Sequence, residues 1–209
     1  MADKKTVAYI VRHGTTDLNA EDRYRGQIDT PLDDKGKKDS EELRQWFKDK
    51  PIGKAWTSDL KRASETAGSI LQGKKTPATR VRDLRPLDAG ELAGKPKDAK
   101  HKAIMQKHQD DTSKVIPGGE SIDNLHNRVR RPLMRAFHAG LKGKPSLVST
   151  HSSVVHSVGH ILHDNHEAAL VEPGGVVEVT WDGKKFEAKP VLKPKKKQTS
   201  QEANPEYAS

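Results

Sequence analysis

Residues 6–14 read TVAYIVRHG, a short run of apolar, aromatic and β-branched side chains that breaks off into a polar turn. A run of this kind predicts a buried strand, and the glycine marks the point where the strand ends. Arg12 and His13 therefore lie at a strand tip. Ligands of open α/β sheets bind beyond the carboxyl ends of the strands, where anions meet free N–H groups. The sequence predicts an imidazole and a guanidinium together at an anion site.

Two further polar groups follow predicted strands in the same way. Residues 55–57 predict a second short strand, and the helix that begins after them carries Arg62 in its first turn. Residues 146–150 predict another strand, with His151 directly after it. Taken singly, each motif has a structural alternative: a polar turn at Arg12-His13-Gly14, a solvated helix face at Arg62 and a structural histidine at His151. If these strands are parallel, their carboxyl ends share one edge of the sheet, which would bring Arg62 and His151 near His13.

Strands and amphipathic helices alternate along most of the chain. Such alternation is typical of a largely parallel sheet covered on both faces. The sequence therefore predicts an α/β protein, a three-layer α/β/α sandwich with a mostly parallel sheet and helices on both faces. Apolar spacing and turn residues predict the other elements: a helix ending near Lys48, a helix from Ser58 or Asp59 to about Leu71, a strand at Thr79–Leu84, a helix near Ala99–Gln109, a long helix from Ser121, a helix at Val154–Leu162, and a hairpin of Val176–Trp181 with Phe186–Val191.

The length of 209 residues suits one domain with a tail. The predicted domain covers residues 1–192. Beyond it, the run Lys193-Pro194-Lys195-Lys196-Lys197 and the polar residues to Ser209 have little to bury. Residues 193–209 are therefore predicted to be a disordered, basic and polar tail.

Composition excludes several classes of function. The chain has no cysteine, which rules out disulfides, thiolate metal sites and a cysteine nucleophile. No apolar run approaches the length of a membrane span, and residues 1–6 lack the apolar core of a secretory signal, so we expect a cytoplasmic protein that does not enter the membrane. The net charge of +9 favours anionic partners in general. Aromatic residues make up only 4% of the chain, so the lysines of segments 95–107 and 193–197 are expected to be solvated and not to bind nucleic acid.

The motifs of this sequence, in their order and at their intervals, closely resemble those of the histidine phosphatase superfamily, the phosphoglycerate-mutase-like branch with the Arg-His-Gly motif. The resemblance spans about residues 6–160. The matching residues are Arg12-His13-Gly14-Thr15-Thr16-Asp17-Leu18-Asn19, Arg25-Gly26-Gln27, Asp29-Thr30-Pro31-Leu32 with Gly36, Thr57-Ser58-Asp59-Leu60-Lys61-Arg62-Ala63 with Thr66-Ala67, Pro117-Gly118-Gly119-Glu120-Ser121, and Thr150-His151.

The resemblance implies roles for six of these residues. His13 would be the nucleophile that takes the phosphoryl group as a phosphohistidine, and His151 would be the second histidine of the family. No metal or other cofactor is implied. Phosphoryl transfer spreads negative charge over three oxygens, which suits positioned cations and N–H donors. The side chains expected to bind the phosphate are Arg12, Arg62, Asn19 and Arg25.

One position departs from the family pattern. Relatives with a well-defined general acid carry a glutamate after the third strand, where this chain has Pro86. Asp88, two residues on, is our candidate to protonate the leaving oxygen, with Glu91 in reserve. The alternative is that neither acts and that leaving-group protonation is poor.

A second cluster of histidines raises the question of a metal site. His156 and His160 stand four residues apart on a predicted helix, a spacing that can bind zinc, and His151, His163 and His166 are near them in sequence. No third ligand can be named, so we expect structural or exposed histidines.

Three functions remain open from the sequence. The first is hydrolysis of phosphate monoesters on small-molecule or other phosphorylated substrates, the second a phosphoglycerate-type mutase, and the third a catalytically weak module that binds phosphate or a partner. The segment from Ala89 to Ile116 matches poorly what a mutase would use to enclose its substrate, which favours hydrolysis. The natural substrate and the oligomeric state are not specified by the sequence.

Overall fold

Six strands form one sheet in the order β3-β2-β4-β1-β5-β6 in the computed structural model, which describes residues 4–162, 171–192 and 194. The first four strands in this order run parallel, and the last two run antiparallel to their neighbours. The strands are β1 (Lys5–Arg12), β2 (Lys54–Thr57), β3 (Ala78–Arg80), β4 (Ser146–Thr150), β5 (Val176–Trp181) and β6 (Phe186–Leu192). The helices are α1 (Asp17–Ala20), α2 (Asp34–Trp46), α3 (Lys61–Leu71), α4 (Ala99–Asp110), α5 (Ile122–Leu141) and α6 (Ser152–Ile161), with 3-10 turns at Arg82–Leu84 and Gly90–Leu92.

The alternating side chains of β1 enter two separate apolar cores. Ala8 and Ile10 pack in a core with α5 and α6, while Tyr9 and Val11 pack in a second core that α2 and α3 cover from the other face. The predicted three-layer sandwich with a mostly parallel sheet is therefore confirmed. The antiparallel β5–β6 hairpin turns at Asp182 and Gly183, as the sequence predicts.

Two predicted boundaries are wrong. The third strand ends at Arg80 and not at Leu84, because its partner β2 has only four residues. After the bond from Val81 N–H to the Thr57 carbonyl, at 2.8 Å, the chain turns into a 3-10 helix that buries Leu84. Helix α3 has Leu60 as its N-cap, not Ser58 or Asp59.

The segment between Leu84 and Ser121 forms a layer over the carboxyl edge of the sheet. It contains α4, whose N-cap Asp98 accepts a bond from the amide of His101, and its own small core of Ala89, Leu92, Met105 and Ile116. Two loops of this layer approach so closely that a Cβ on Gly90 (φ +46°) would stand 2.1 Å from the carbonyl oxygen of Pro117. A side chain at that position is therefore excluded.

The strand tips that carry the predicted site lie side by side. Arg12 pairs with Thr150, and Thr57 pairs with Ser149, so β1, β4 and β2 end at the same edge. The predicted tail at residues 193–209 lies outside the described residues, apart from Pro194. Within the described part of the chain, no helix combines the length and the apolar character that crossing a membrane requires.

Candidate active site

A cavity of about 140 Å³ opens at the carboxyl edge of the sheet. Four of the predicted site residues line it together: His13, His151, Arg25 and Arg62. The remaining lining residues form a mostly apolar wall and a few polar positions. The wall contains Tyr24, Gly26, Pro86, Leu87, Ala89 and Met105, and the polar positions are Arg23, Lys97, Ser152 and Ser153.

The backbone around His13 is fixed on three sides. Its N–H donates to the Thr150 carbonyl at 2.9 Å, its carbonyl accepts from Gly174 N–H at 3.1 Å, and the next amide, Gly14 N–H, donates to Thr66 Oγ1 at 3.2 Å. The side chain is only 1% exposed. The imidazole is thus held by the sheet and by α3 at one place, without a flexible loop between them.

The ring of His13 has one available tautomer. Its Nδ1 lies 2.6 Å from the carbonyl oxygen of Gly14. A carbonyl can only accept a hydrogen bond, so Nδ1 carries the proton. Burial, together with the positive charges of Arg62 and Arg25, holds the pKa of His13 well below its usual value. The ring is therefore neutral near pH 7, and Nε2 bears a lone pair.

His151 faces His13 as the N-cap of α6, with ring centroids 5.0 Å apart. Burial and the nearby His13 and Arg62 hold its pKa well below the usual value, so this ring is also neutral. Both of its nitrogens are buried and have no hydrogen-bond partner among the described residues. Buried polar atoms are nearly always paired, which makes an unpaired imidazole beside a cavity a candidate to meet a ligand.

Three guanidinium groups surround the two rings. Arg62 donates to the carbonyls of Ile28 at 2.7 Å and Gly26 at 3.2 Å, and Arg12 donates to that of Val171 at 2.8 Å. Each group of the trio still has one buried nitrogen without a partner among the described residues, namely Arg62 Nε, Arg12 Nε and Arg25 Nη1. The site therefore offers N–H donors that the described residues do not satisfy.

The crowding of positive charge is visible in the pKa values of the arginines. Burial, with Arg12 and Arg62 close by, lowers the pKa of Arg25 to about 9, and burial lowers that of Arg62 to about 10. Cations that repel one another in a partly dry site favour a bound anion, because it removes the repulsion and fills the open donors. The electrostatics suit a dianion such as a phosphate group.

The other predicted residues stand outside the lining of the cavity. Arg12 lies beside His13, and Asn19 uses its side-chain oxygen to accept from Thr16 N–H and Oγ1, both at 3.0 Å, as a helix cap. Asp88 accepts from Gly90 N–H at 3.1 Å, and Glu91 is exposed. The structure does not bring either carboxyl group to the described lining, and the lining holds no Asp or Glu at all.

Arg128 of α5 fixes the wall of the cavity, a role that the sequence analysis missed. Its guanidinium donates to the carbonyls of Asp83 and Arg85 through Nη1, at 2.7 and 2.9 Å, and to that of Pro86 through Nη2, at 2.8 Å. It also binds both carboxylate oxygens of Glu120, at 2.9 and 2.6 Å. Glu120 in turn accepts from Asp88 N–H at 2.8 Å. Glu120 belongs to the Pro-Gly-Gly-Glu-Ser motif, and that motif was the sequence signal for this set of contacts.

Replacing Arg128 with alanine is expected to reduce stability by about 3 kcal/mol, because Glu120 and three carbonyls lose their partner. The wall should shift as well, so turnover should fall in the folded variant. Arg130→Ala, an exposed arginine on the same helix, should change stability by less than about 0.5 kcal/mol. Thermal unfolding and kcat/KM measured on both variants check this, and equal effects would contradict the role of Arg128.

The described members of the second histidine cluster do not converge on a common point. His156 and His160 are exposed on α6, and His160 stacks on His126 with centroids 4.0 Å apart. Across residues 4–162, 171–192 and 194, no group of three or more His, Cys, Asp or Glu residues could hold a metal ion. His163 and His166 lie outside the described residues.

Known proteins resemble this chain over about 70% of its length. Phosphoglycerate mutase-like protein 4 of Arabidopsis thaliana is 33% identical over 159 residues, with 71% of this chain and 67% of that protein covered. A protein of Salmonella choleraesuis (strain SC-B67) described as a probable phosphoglycerate mutase, GpmB, is 34% identical over 148 residues, with 68% and 67% covered.

Solved structures share the fold at lower identity. A mycobacterial glucosyl-3-phosphoglycerate phosphatase, solved with VO3, has a TM-score of 0.76 at 21% identity and covers 88% of this chain and 98% of its own. A phosphoglycerate mutase from Bacillus anthracis has a TM-score of 0.75 at 21% identity, with 90% and 94% covered. The model of the histidine phosphatase superfamily (branch 1) matches residues 8–191. The chain belongs to this superfamily.

Proposed function

We propose that this protein is a phosphatase that hydrolyses phosphate monoesters through a phosphohistidine on His13. One observation carries the proposal: a neutral imidazole whose Nδ1 is committed to Gly14 stands in a cavity with Arg25, Arg62 and His151, where buried N–H donors have no partner in the described part of the chain. A nucleophile with a free lone pair and a set of unfilled donors are the two requirements of phosphoryl transfer.

The reaction follows in two steps. In the first, the Nε2 lone pair of His13 attacks phosphorus, the bond from phosphorus to the ester oxygen breaks, and that oxygen leaves with the electron pair. In the second, a water oxygen attacks phosphorus and the electron pair of the P–N bond returns to Nε2. One proton of the water stays on the released phosphate, and the other passes through solvent to the oxygen that left in the first step. Arg25 and Arg62, which line the cavity, bind the phosphate oxygens, and Arg12 beside His13 adds its Nε, which has no partner among the described residues. His151 donates to a phosphate oxygen through one ring nitrogen and accepts from the water through the other.

A mutase is the second candidate, since the relatives in Arabidopsis and Salmonella carry mutase names. A sugar-acid substrate needs a free cation for its carboxylate. The two other cations of the cavity are already engaged: Lys97 pairs with Asp22 at 3.1 Å, and Arg23 pairs with Glu21 at 2.7 Å. Both pairs are exposed and cost little to break, so they do not exclude a mutase.

Turnover of 4-nitrophenyl phosphate in the presence of a chelator tests the proposal. We expect release of nitrophenol and inorganic phosphate in equal amounts, without added metal. With a phosphoglycerate as substrate, the mutase alternative predicts an isomeric phosphoglycerate in place of free phosphate. The binding-module alternative predicts that phosphate or vanadate raises the unfolding temperature although no ester is turned over. Activity lost on chelation would contradict the metal-independent route.

A further inference from the structure

The cavity contains no ordinary proton donor for a leaving oxygen. No carboxyl group is present among its described lining residues. His151 is neutral, and the Tyr24 phenol has a pKa raised by burial and by the nearby Asp22. The ammonium group of Lys97 is held by Asp22. A general acid works best when its pKa lies near the operating pH, and the shifted pKa values of His151 and Tyr24 do not suit either group to that role.

Pro86 occupies the wall with its backbone fixed. Its carbonyl accepts from Arg128 Nη2 at 2.8 Å and from Gln27 Nε2 at 3.3 Å. A pyrrolidine ring has no acidic proton, and the two hydrogen bonds hold the segment from both sides. Because the wall is tied to α5 and to the loop of Gln27, a neighbouring carboxyl group cannot take this place without breaking these bonds.

The wall is also apolar and suits a flat ring. Tyr24, Leu87, Ala89 and Met105 line the cavity beside Pro86. These apolar side chains lie beside the phosphate-binding groups of the same cavity, where a ring attached to the phosphate can pack against them. A hydroxyl group placed against them would have no hydrogen-bond partner among them, which is costly.

From these two features we propose that the site is selective for aryl phosphates, esters whose leaving oxygen belongs to a phenol. The inference rests on the proposed phosphatase function and narrows its substrate class. When the P–O bond breaks, the electron pair stays on the phenolate oxygen, which the aromatic ring stabilises, and the phenolate takes its proton from water after departure. An alkoxide lacks this stabilisation and needs an acid in the transition state.

Three substrates separate the acidity of the leaving group from the shape of the ring. Phenyl phosphate has both features, benzyl phosphate has the ring but an alkyl oxygen, and acetyl phosphate has an acidic leaving group without the ring. Because general acid catalysis is worth about 10²–10⁴-fold, we expect kcat/KM for phenyl phosphate to exceed that for benzyl phosphate by at least about 10²-fold. Acetyl phosphate should show a higher KM than phenyl phosphate.

The same three substrates can also give results that contradict the inference. A kcat/KM for benzyl phosphate within tenfold of that for phenyl phosphate would mean that the enzyme supplies a proton to the leaving oxygen. Equal KM values for acetyl phosphate and phenyl phosphate would mean that the apolar wall does not favour a ring. If no ester is turned over, including 4-nitrophenyl phosphate, then the proposed phosphatase function itself is wrong, and this inference fails with it.

Pro86→Glu, with Pro86→Gln as its matched control, tests whether the missing acid causes the preference for aryl phosphates. The glutamate should raise kcat/KM for benzyl phosphate by about 10²-fold and reduce the preference for phenyl phosphate, whereas the glutamine, of the same length but without an acidic proton, should not. Equal gains in both variants would assign the effect to shape and contradict the missing acid. In Asp88→Asn, a selective loss of benzyl phosphate turnover would assign the acid to Asp88 and overturn the inference.

Discussion

Replacing His13 with alanine is expected to abolish turnover of 4-nitrophenyl phosphate, with a loss in kcat on the order of 10⁴–10⁶-fold, the cost of removing a covalent nucleophile. The residual arginines still bind the phosphate, so the variant should bind vanadate. The phosphorylated intermediate trapped by acid-free quenching of the wild type should be absent. Activity and intermediate must disappear together, because both depend on the lone pair of the same nitrogen.

A matched control distinguishes this loss from a general effect of removing a histidine. His138 is exposed near the end of α5, where its ring lies against the Met134 carbonyl and edge-on to Phe186, away from the cavity lining. His138→Ala should therefore retain nearly full activity. If His13→Ala keeps more than a few per cent of the wild-type kcat at an unchanged unfolding temperature, His13 is not the nucleophile.

The pH dependence of kcat/KM gives a second view of the same residue. The folded pKa of His13 lies well below its usual value, mainly because of burial and then because of Arg62 and Arg25. The unfolded chain binds this proton more tightly, so ionisation of His13 opposes folding at acidic pH and not at neutral pH. The neutral form of the ring, which the proposed mechanism requires, persists to a lower pH than an ordinary histidine would allow.

Much of the site could be predicted because it depends on local sequence. Apolar runs that break into polar turns mark the ends of β1 and β4, and the polar residue after each break is His13 or His151. Register in a parallel sheet then brings those tips together, without any need for long-range information. Arg62 follows from its position in the first turn after β2.

The features of the fold and site that the sequence did not predict depend on contacts between segments that are distant in the chain. The end of β3 is determined by the length of β2, which propensity does not record. Arg128 binds carbonyls that lie more than forty residues away in the chain, and carbonyls have no sequence signature. The position of the Asp88 carboxylate likewise depends on the Gly90 amide and on the anchored Pro86 segment. The prediction for Asp88 used only its spacing of two residues from Pro86 in an extended chain, and that spacing contains no information about these hydrogen bonds.

Stability and function make opposite demands at the arginine cluster. Arg25 is buried among like charges, and its pKa is lowered to about 9. Its folded pKa therefore lies below that of the unfolded chain, and its positive charge costs stability at neutral pH, a cost that ends only as pH rises above the unfolded value. A bound phosphate offsets this cost, because ligands that bind only the folded state stabilise it. The arginine cluster is therefore unfavourable without a ligand, and this favours the binding of an anion.

Arg62→Ala is expected to lower kcat/KM by about 10³-fold or more, the range found when a guanidinium at a transferring phosphoryl group is lost. Arg62 is only 1% exposed, and its Nε has no partner among the described residues, while its other nitrogens hold the carbonyls of Gly26 and Ile28. Arg62→Lys keeps the charge but loses the planar fork, so it should recover only part of the loss.

The neighbouring Lys61 supplies the matched control, because its side chain is exposed at the start of the same helix. Lys61→Ala should change kcat/KM less than twofold. If Arg62 were only a structural anchor for the Gly26–Ile28 loop, its loss would reduce the unfolding temperature, and the folded variant would keep its affinity for vanadate. If it binds the reacting phosphate, vanadate binding and kcat/KM fall in the folded variant, and they fall much more than in Lys61→Ala. Retention of both within tenfold of the wild type would remove Arg62 from the phosphate site.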